Sequence, residues 1–189
     1  MPIIGIIDSQ KSGHLFTPIV GAYDALATVT LSGGQTTVNF VGIPNTYSHL
    51  QIRGIARWNS STADFRSSFM TLNGDGGANY ATHLFSADGA TAGFAASAAR
   101  TNMNYIGGNL YGGANAFTGF VIDILDYAST TKNKTVRSLA GYDVNGAGRI
   151  DYASGLWTPT TPVAVTVITF GIQTDSFAAN STFSLYGVR

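Results

Sequence analysis

His49-Leu50-Gln51-Ile52-Arg53-Gly54-Ile55-Ala56-Arg57 is the segment from which the architecture follows. Leu50 and Ile52 fall on one side of an extended chain, and His49, Gln51, Arg53 and Arg57 on the other. A period of two is the pattern of an antiparallel strand with one buried face. A helix would space its apolar residues three and four apart. Arg53 and Arg57, outward on such a strand, are expected to pair with Asp side chains of the same sheet or of a neighbour. Upstream, the β-rich runs 26–31 and 36–41 flank Ser32-Gly33-Gly34-Gln35 and read as a hairpin. Downstream, 65–72 reads as a strand ending in Asn73-Gly74-Asp75-Gly76-Gly77. Phe120, Ile122 and Ile124 alternate with Val121, Asp123 and Leu125. Runs 135–142 and 148–152 pair around Asp143-Val144-Asn145-Gly146-Ala147. The nearly continuous apolar run 163–172 has the character of a central sandwich strand. Phe183, Leu185 and Gly187 alternate with Thr182, Ser184 and Tyr186 near the end. About eight to ten strands separated by turn signals predict an all-β antiparallel sandwich, with a jelly roll as the expected arrangement.

Two stretches break the pattern. Residues 1–23 carry Ile3, Ile4, Ile6 and Ile7, interrupted by Pro2, Gly5, Gly13 and Pro18. They read either as a first strand plus a loop or as an N-terminal arm laid on a neighbouring subunit. The domain reading is an arm over 1–23 and one sandwich over 24–189. Between Gly89 and Ile122 the only charge is Arg100. Residues 92–100 read as a short helix and the rest as long loops dotted with Phe94, Tyr105, Tyr111 and Phe117. Uncharged, aromatic-bearing loops suit a surface covered by a partner.

Composition narrows the function. The 189 residues carry 10 Lys+Arg and 10 Asp+Glu, a net charge of zero, so a basic nucleic-acid groove is not expected. All ten acids are Asp, which favours turns over helices. Charged residues make up 11%, against roughly 25% in an ordinary domain. Such a surface suits a subunit packed among neighbours. Cysteine is absent, which removes disulfides and thiol catalysis. No apolar run reaches the ~20 residues of a membrane helix, and the opening lacks the basic start and apolar core of a secretory leader. The expectation is a soluble chain with no membrane partner.

Chemistry-bearing patterns are weak. Asp143, Asn145, Gly148, Ile150 and Asp151 match a calcium loop in part, but Ala147 and Ser154 stand where oxygen ligands belong. Asn145-Gly146 is also the strongest short signal for a type I′ turn. Asn73, Asp75 and Asp88 suit turns as readily as calcium. Asp123 and Asp126, at odd spacing, fall on opposite faces of a strand and do not flank one glycosidic bond. Asp126 reads instead as a strand-end carboxylate paired with a nearby Lys or Arg. His14, His49 and His83 show no ligand spacing, and no nucleophile elbow, phosphate loop or dinucleotide fingerprint occurs. Metal, cofactor and enzymatic activity are therefore not expected. Trp58 and Trp157 remain candidates for stacking on sugar rings, or else for a partly buried core edge.

Several segments together carry a resemblance. They are Gly13-His14-Leu15, the stretch from Ala22 to Thr30, and Gly42-Ile43-Pro44-Asn45-Thr46-Tyr47-Ser48 running into His49–Arg53. Asn73-Gly74-Asp75 with Asn79-Tyr80, Asp126-Tyr127 with Lys132 and Lys134, and Ser184-Leu185-Tyr186-Gly187-Val188 complete it. The chain resembles small virion structural proteins of tailed bacteriophages, nearly end to end, on structural rather than catalytic motifs. The resemblance implies a virion location and a jelly-roll-like module on capsid or tail. The first expectation is a capsid cement or decoration protein that contacts other virion proteins and forms a homo-oligomer, with a trimer favoured. Ile3, Ile4, Ile6, Ile7, Phe94, Tyr105, Tyr111 and Phe117 are its candidate contacts. The alternative is a tail-fibre module binding host carbohydrate through Trp58 and Trp157.

Overall fold

The computed structural model describes residues 21–189, and among these every regular element is a strand. One sheet has eight strands in the order β1 (Tyr23–Thr30), β12 (Thr182–Val188), β3 (His49–Ala56), β8 (Thr118–Leu125), β9 (Lys134–Asp143), β10 (Gly148–Trp157), β5 (Tyr80–Ala87) and β6 (Ala92–Arg100). The other has four, in the order β2 (Thr37–Val41), β11 (Val167–Ile172), β4 (Phe65–Leu72) and β7 (Met103–Tyr111). All pairings between these strands are antiparallel. The all-β antiparallel sandwich is as expected. Its twelve strands, split eight and four, exceed the eight to ten counted from the sequence.

The alternation in 49–56 has the predicted consequence: Leu50 and Ile52 are fully buried while Arg53 and Ile55 face out. Phe120 and Phe183 from the large sheet meet Phe170 from the small one, with Phe170 and Phe120 stacked at 5.3 Å. Phe177 closes the cluster, 5.2 Å from Phe183. Each such aromatic pair adds about 0.5–1.5 kcal/mol beyond its buried area. β11 lies between β2 and β4, as its apolar run predicts.

Three expectations need correction. First, β1 and β2 form no hairpin: β1 pairs with β12 and β2 with β11, in opposite sheets. Residues between them cross over, tied by Leu31 N–H to Ser181 O, Gly34 N–H to Phe177 O and Phe177 N–H to Gln35 O. Local turn signals do not specify the partner; the cross-strand contacts of β12 do. Second, 92–100 is the edge strand β6. Its alanines favour a helix, but Gly93, Ala95 and Ser97 alternate with Phe94, Ala96 and Ala98, and the ladder to β5 decides the outcome.

Third, Gly107-Gly108 lies within strand β7. Residues 105–108 bulge opposite Ser68, whose buried hydroxyl donates to Ile106 O and Gly108 O. Both glycines have positive φ. A Cβ on Gly107 would stand 2.6 Å from the Phe170 ring, and one on Gly108 would collide with Ala140 Cβ. Glycine is what allows this bulge to sink between the sheets.

Candidate interface on the eight-stranded sheet

The outer face of the large sheet carries a row fixed by register: Arg53, Val121, Leu139, Tyr152, Phe85 and Phe94, one from each of β3, β8, β9, β10, β5 and β6. In register-paired antiparallel strands these side chains share one face. From Val121 to Phe94 the row is apolar across five strands, about 19 Å at strand spacing. All five side chains are solvent-exposed, Leu139 to 55% and Phe94 to 80%. Phe85 and Phe94 pack together at 5.4 Å. The adjacent row reads Ile55, Gly119, Gly141, Ile150, Ala87 and Ala92. Gly119 and Gly141 leave a hollow between exposed Ile55 and Ile150, and a Cβ on Gly119 would meet nothing within 4 Å.

Charge lies at the border of this band. Arg53 ends the row, but its guanidinium sits over Tyr23 at 4.7 Å and over Tyr186 at 5.2 Å, with Nε on Gln51. Within the chain, aromatic faces stand where an Asp of the same sheet is expected. The row on the other side holds Asp123 and Arg137, register partners 3.9 Å apart, followed by Ser154 and His83. Gln51 also donates to Asp123.

The sequence-selected residues do not gather at one place. Phe94 stands on the apolar band. Tyr111 stacks on Tyr142 at 4.7 Å, and Phe117 lies 5.9 Å from the Arg57 guanidinium. Arg57 donates to the carbonyls of Ser60 and Gly112 rather than to an Asp. Tyr105 sits in the β7 bulge with φ +65°. Ile3, Ile4, Ile6, Ile7 and His14 lie outside the described residues.

Trp58 and Trp157 are both buried, which removes them as sugar-stacking platforms. Trp58 Nε1 donates to Asp64 O, and its ring is covered by Arg66. Trp157 stacks on Tyr80, and its Nε1 donates to Asp75. Burial pushes the Tyr80 hydroxyl up to about 12.

The carboxylates are spent on structure. Each of the nine aspartates among the described residues accepts a hydrogen bond. Asp126 takes Lys132 Nζ at 2.6 Å, the strand-end pair the sequence predicts, and that hydrogen bond with its charge holds the carboxyl below its ordinary range. Asp143 caps Asn145 N–H within a turn whose Asn145 and Gly146 have φ of 58° and 110°, the positive values that type I′ requires. Asp151 points the other way, into the molecule. It is buried and accepts Asn109 N, Asn109 Nδ2 and Arg149 Nε. The calcium-loop pattern groups Asp143 with Asp151; the strand between them separates the two. Asp88 accepts the N–H groups of Ala90 and Thr91. No group of three or more metal-ligating side chains converges among the described residues.

The apolar band itself escapes sequence reading. Val121, Leu139, Tyr152 and Phe85 each alternate correctly as outward residues, but only the strand order brings them into one row. Comparison with family models, curated proteins and solved structures finds no match to this chain.

Proposed function

We propose that this chain is a structural protein of a bacteriophage virion, a cement or decoration subunit of the capsid. The observation that carries the proposal is the apolar band on the outer sheet. Its exposed side chains belong against another protein surface, which a subunit of an assembled shell finds in its neighbours. The resemblance to phage virion proteins points the same way. The proposed partners are other virion proteins, the major capsid protein first, and further copies of the chain. The work is mechanical: surface burial between subunits adds cohesion to the shell without chemistry.

The tail-appendage alternative loses the two indoles chosen for it, since both are internal. The test is co-sedimentation of the purified chain with capsids of the phage that encodes it. Saturable binding at a fixed ratio to the major capsid protein is the expected result. Failure to bind capsids, with retention on host-cell polysaccharide, overturns the capsid reading in favour of the tail.

A further inference from the structure

We infer that the apolar band is a two-fold interface, and that its occupant is the same band of a second copy of this chain. This inference stands on the surface alone and does not rest on the virion reading. Area is the first argument. Taking roughly 150–250 Å² for a large side chain, the exposed fractions of Val121, Leu139, Ile150, Tyr152, Phe85 and Phe94 leave about 500–800 Å² of mostly apolar surface in solvent. That is at or above the upper end of the ~300–600 Å² of the largest patch on a typical monomer. It approaches the ~800 Å² that each partner contributes to a standard interface.

Shape and symmetry choose the occupant. The band spans β8, β9, β10, β5 and β6, so β10 is its middle strand. A two-fold axis parallel to β10, lying between the two apposed faces, carries β6 of one copy over β8 of the other, and β5 over β9. Phe94, the most exposed knob, then meets the other copy's Val121 beside the Gly119–Gly141 hollow, and Phe85 meets Leu139. An isologous contact needs one patch that meets itself across the axis. Here the apolar row does so, with Tyr152 of each copy facing its equivalent at the centre.

Charge favours self-pairing as well. The net charge is zero, so copies do not repel at long range. The contact is two-fold, in place of the trimer expected from the sequence.

The experiment uses the full chain and measures its mass by sedimentation velocity at micromolar concentration. A dimer is expected. Leu139→Glu, which sets a carboxylate against the partner's Phe85, is expected to shift the population to monomer while the circular dichroism spectrum of the folded chain is unchanged. Ile150→Lys is expected to do the same. A monomeric parent chain, or a dimer indifferent to both substitutions, overturns the inference.

Geometry is checked by crosslinking, which the absence of native cysteine makes clean. A short bismaleimide is expected to join copies through Ser154→Cys, on β10 at the axis, and not through Ala96→Cys, on edge strand β6. The reverse pattern would mean edge-to-edge pairing of β6 and would overturn the face-to-face arrangement. Capsid binding by a monomer sinks the inference while leaving the proposed function intact; a dimer that ignores capsids does the opposite.

Discussion

The indole N–H of Trp157 donates to Asp75 Oδ2 at 2.7 Å, joining the end of β10 to the turn after β4. Asp75 also accepts Asn79 Nδ2 and Gly77 N–H, so one carboxylate organises the Asn73–Gly77 turn and anchors a buried ring. Its pKa is held below the ordinary value of 3.8, first by Trp157 and then by Asn79. A carboxyl lowered by folding adds stability above its unfolded pKa, and that stability is lost as pH falls through the folded value. The melting temperature should therefore drop as pH falls below about 4, and Asp75→Asn should flatten that drop. At neutral pH the variant should lose roughly 1–3 kcal/mol, because Trp157 forfeits a charged acceptor. Parallel acid profiles for the two proteins would show that Asp75 is not a source of the pH dependence.

Asp151 is only 3% exposed and satisfies three donors, including Arg149 Nε at 2.8 Å. Asp151→Ala leaves a largely buried guanidinium and the Asn109 N–H groups without an acceptor. A loss of about 3–5 kcal/mol is expected from removing one partner of such a pair. Urea denaturation measures it, and a loss under about 1 kcal/mol, the scale of an ordinary exposed ion pair, would mean that water replaces the carboxylate freely.

The Tyr47 ring lies against Gly187, where an added Cβ would come within 2.5 Å of the ring. This is the corner turned after Pro44, whose carbonyl accepts the Tyr127 hydroxyl. Gly187→Ala should destabilise by about 1–3 kcal/mol, as overpacking does. Tyr47→Ala in the same chain should remove most of the clash, so the two effects should be far from additive. Additive losses in thermal melts would place the cost elsewhere than in this contact.

Gly146 tests the β9–β10 turn. Its φ is +110° and nothing lies within 4 Å of where a Cβ would stand, so a side chain there meets backbone strain without a clash. Gly146→Ala should cost about 1 kcal/mol or slightly more, which lowers the melting temperature by roughly 2–4 °C in a domain of this size. An unchanged midpoint would reject the type I′ geometry.

How much of this is legible in advance depends on the range of the interaction. In 118–125 side chains alternate between core and solvent, and in 49–56 the same period holds apart from Gln51, whose outward side chain is covered; a period of two in the sequence is enough to place Leu50, Ile52, Ile122 and Ile124 inside. Asn145-Gly146 announces its turn through its own φ preferences, and the β9–β10 hairpin follows. The short helix expected over 92–100 fails because alanine propensity is worth a few tenths of a kcal/mol per residue, less than a full ladder to β5. The 31–36 segment carries the same glycines whether it closes a hairpin or crosses between sheets, so the partner of β1 is illegible there.

Strand class, the faces of the individual strands and the low charge content are written in the chain itself, because each is read from the residues without their partners. Strand order is not, and the candidate interface depends on it. Val121, Leu139, Tyr152, Phe85 and Phe94 are separated along the chain and meet through backbone ladders that no local pattern specifies. Trp58 and Trp157 turn inward, and Asp151 is buried opposite Asn109, for a reason of the same kind: burial is set by groups distant in sequence that the fold places over each side chain.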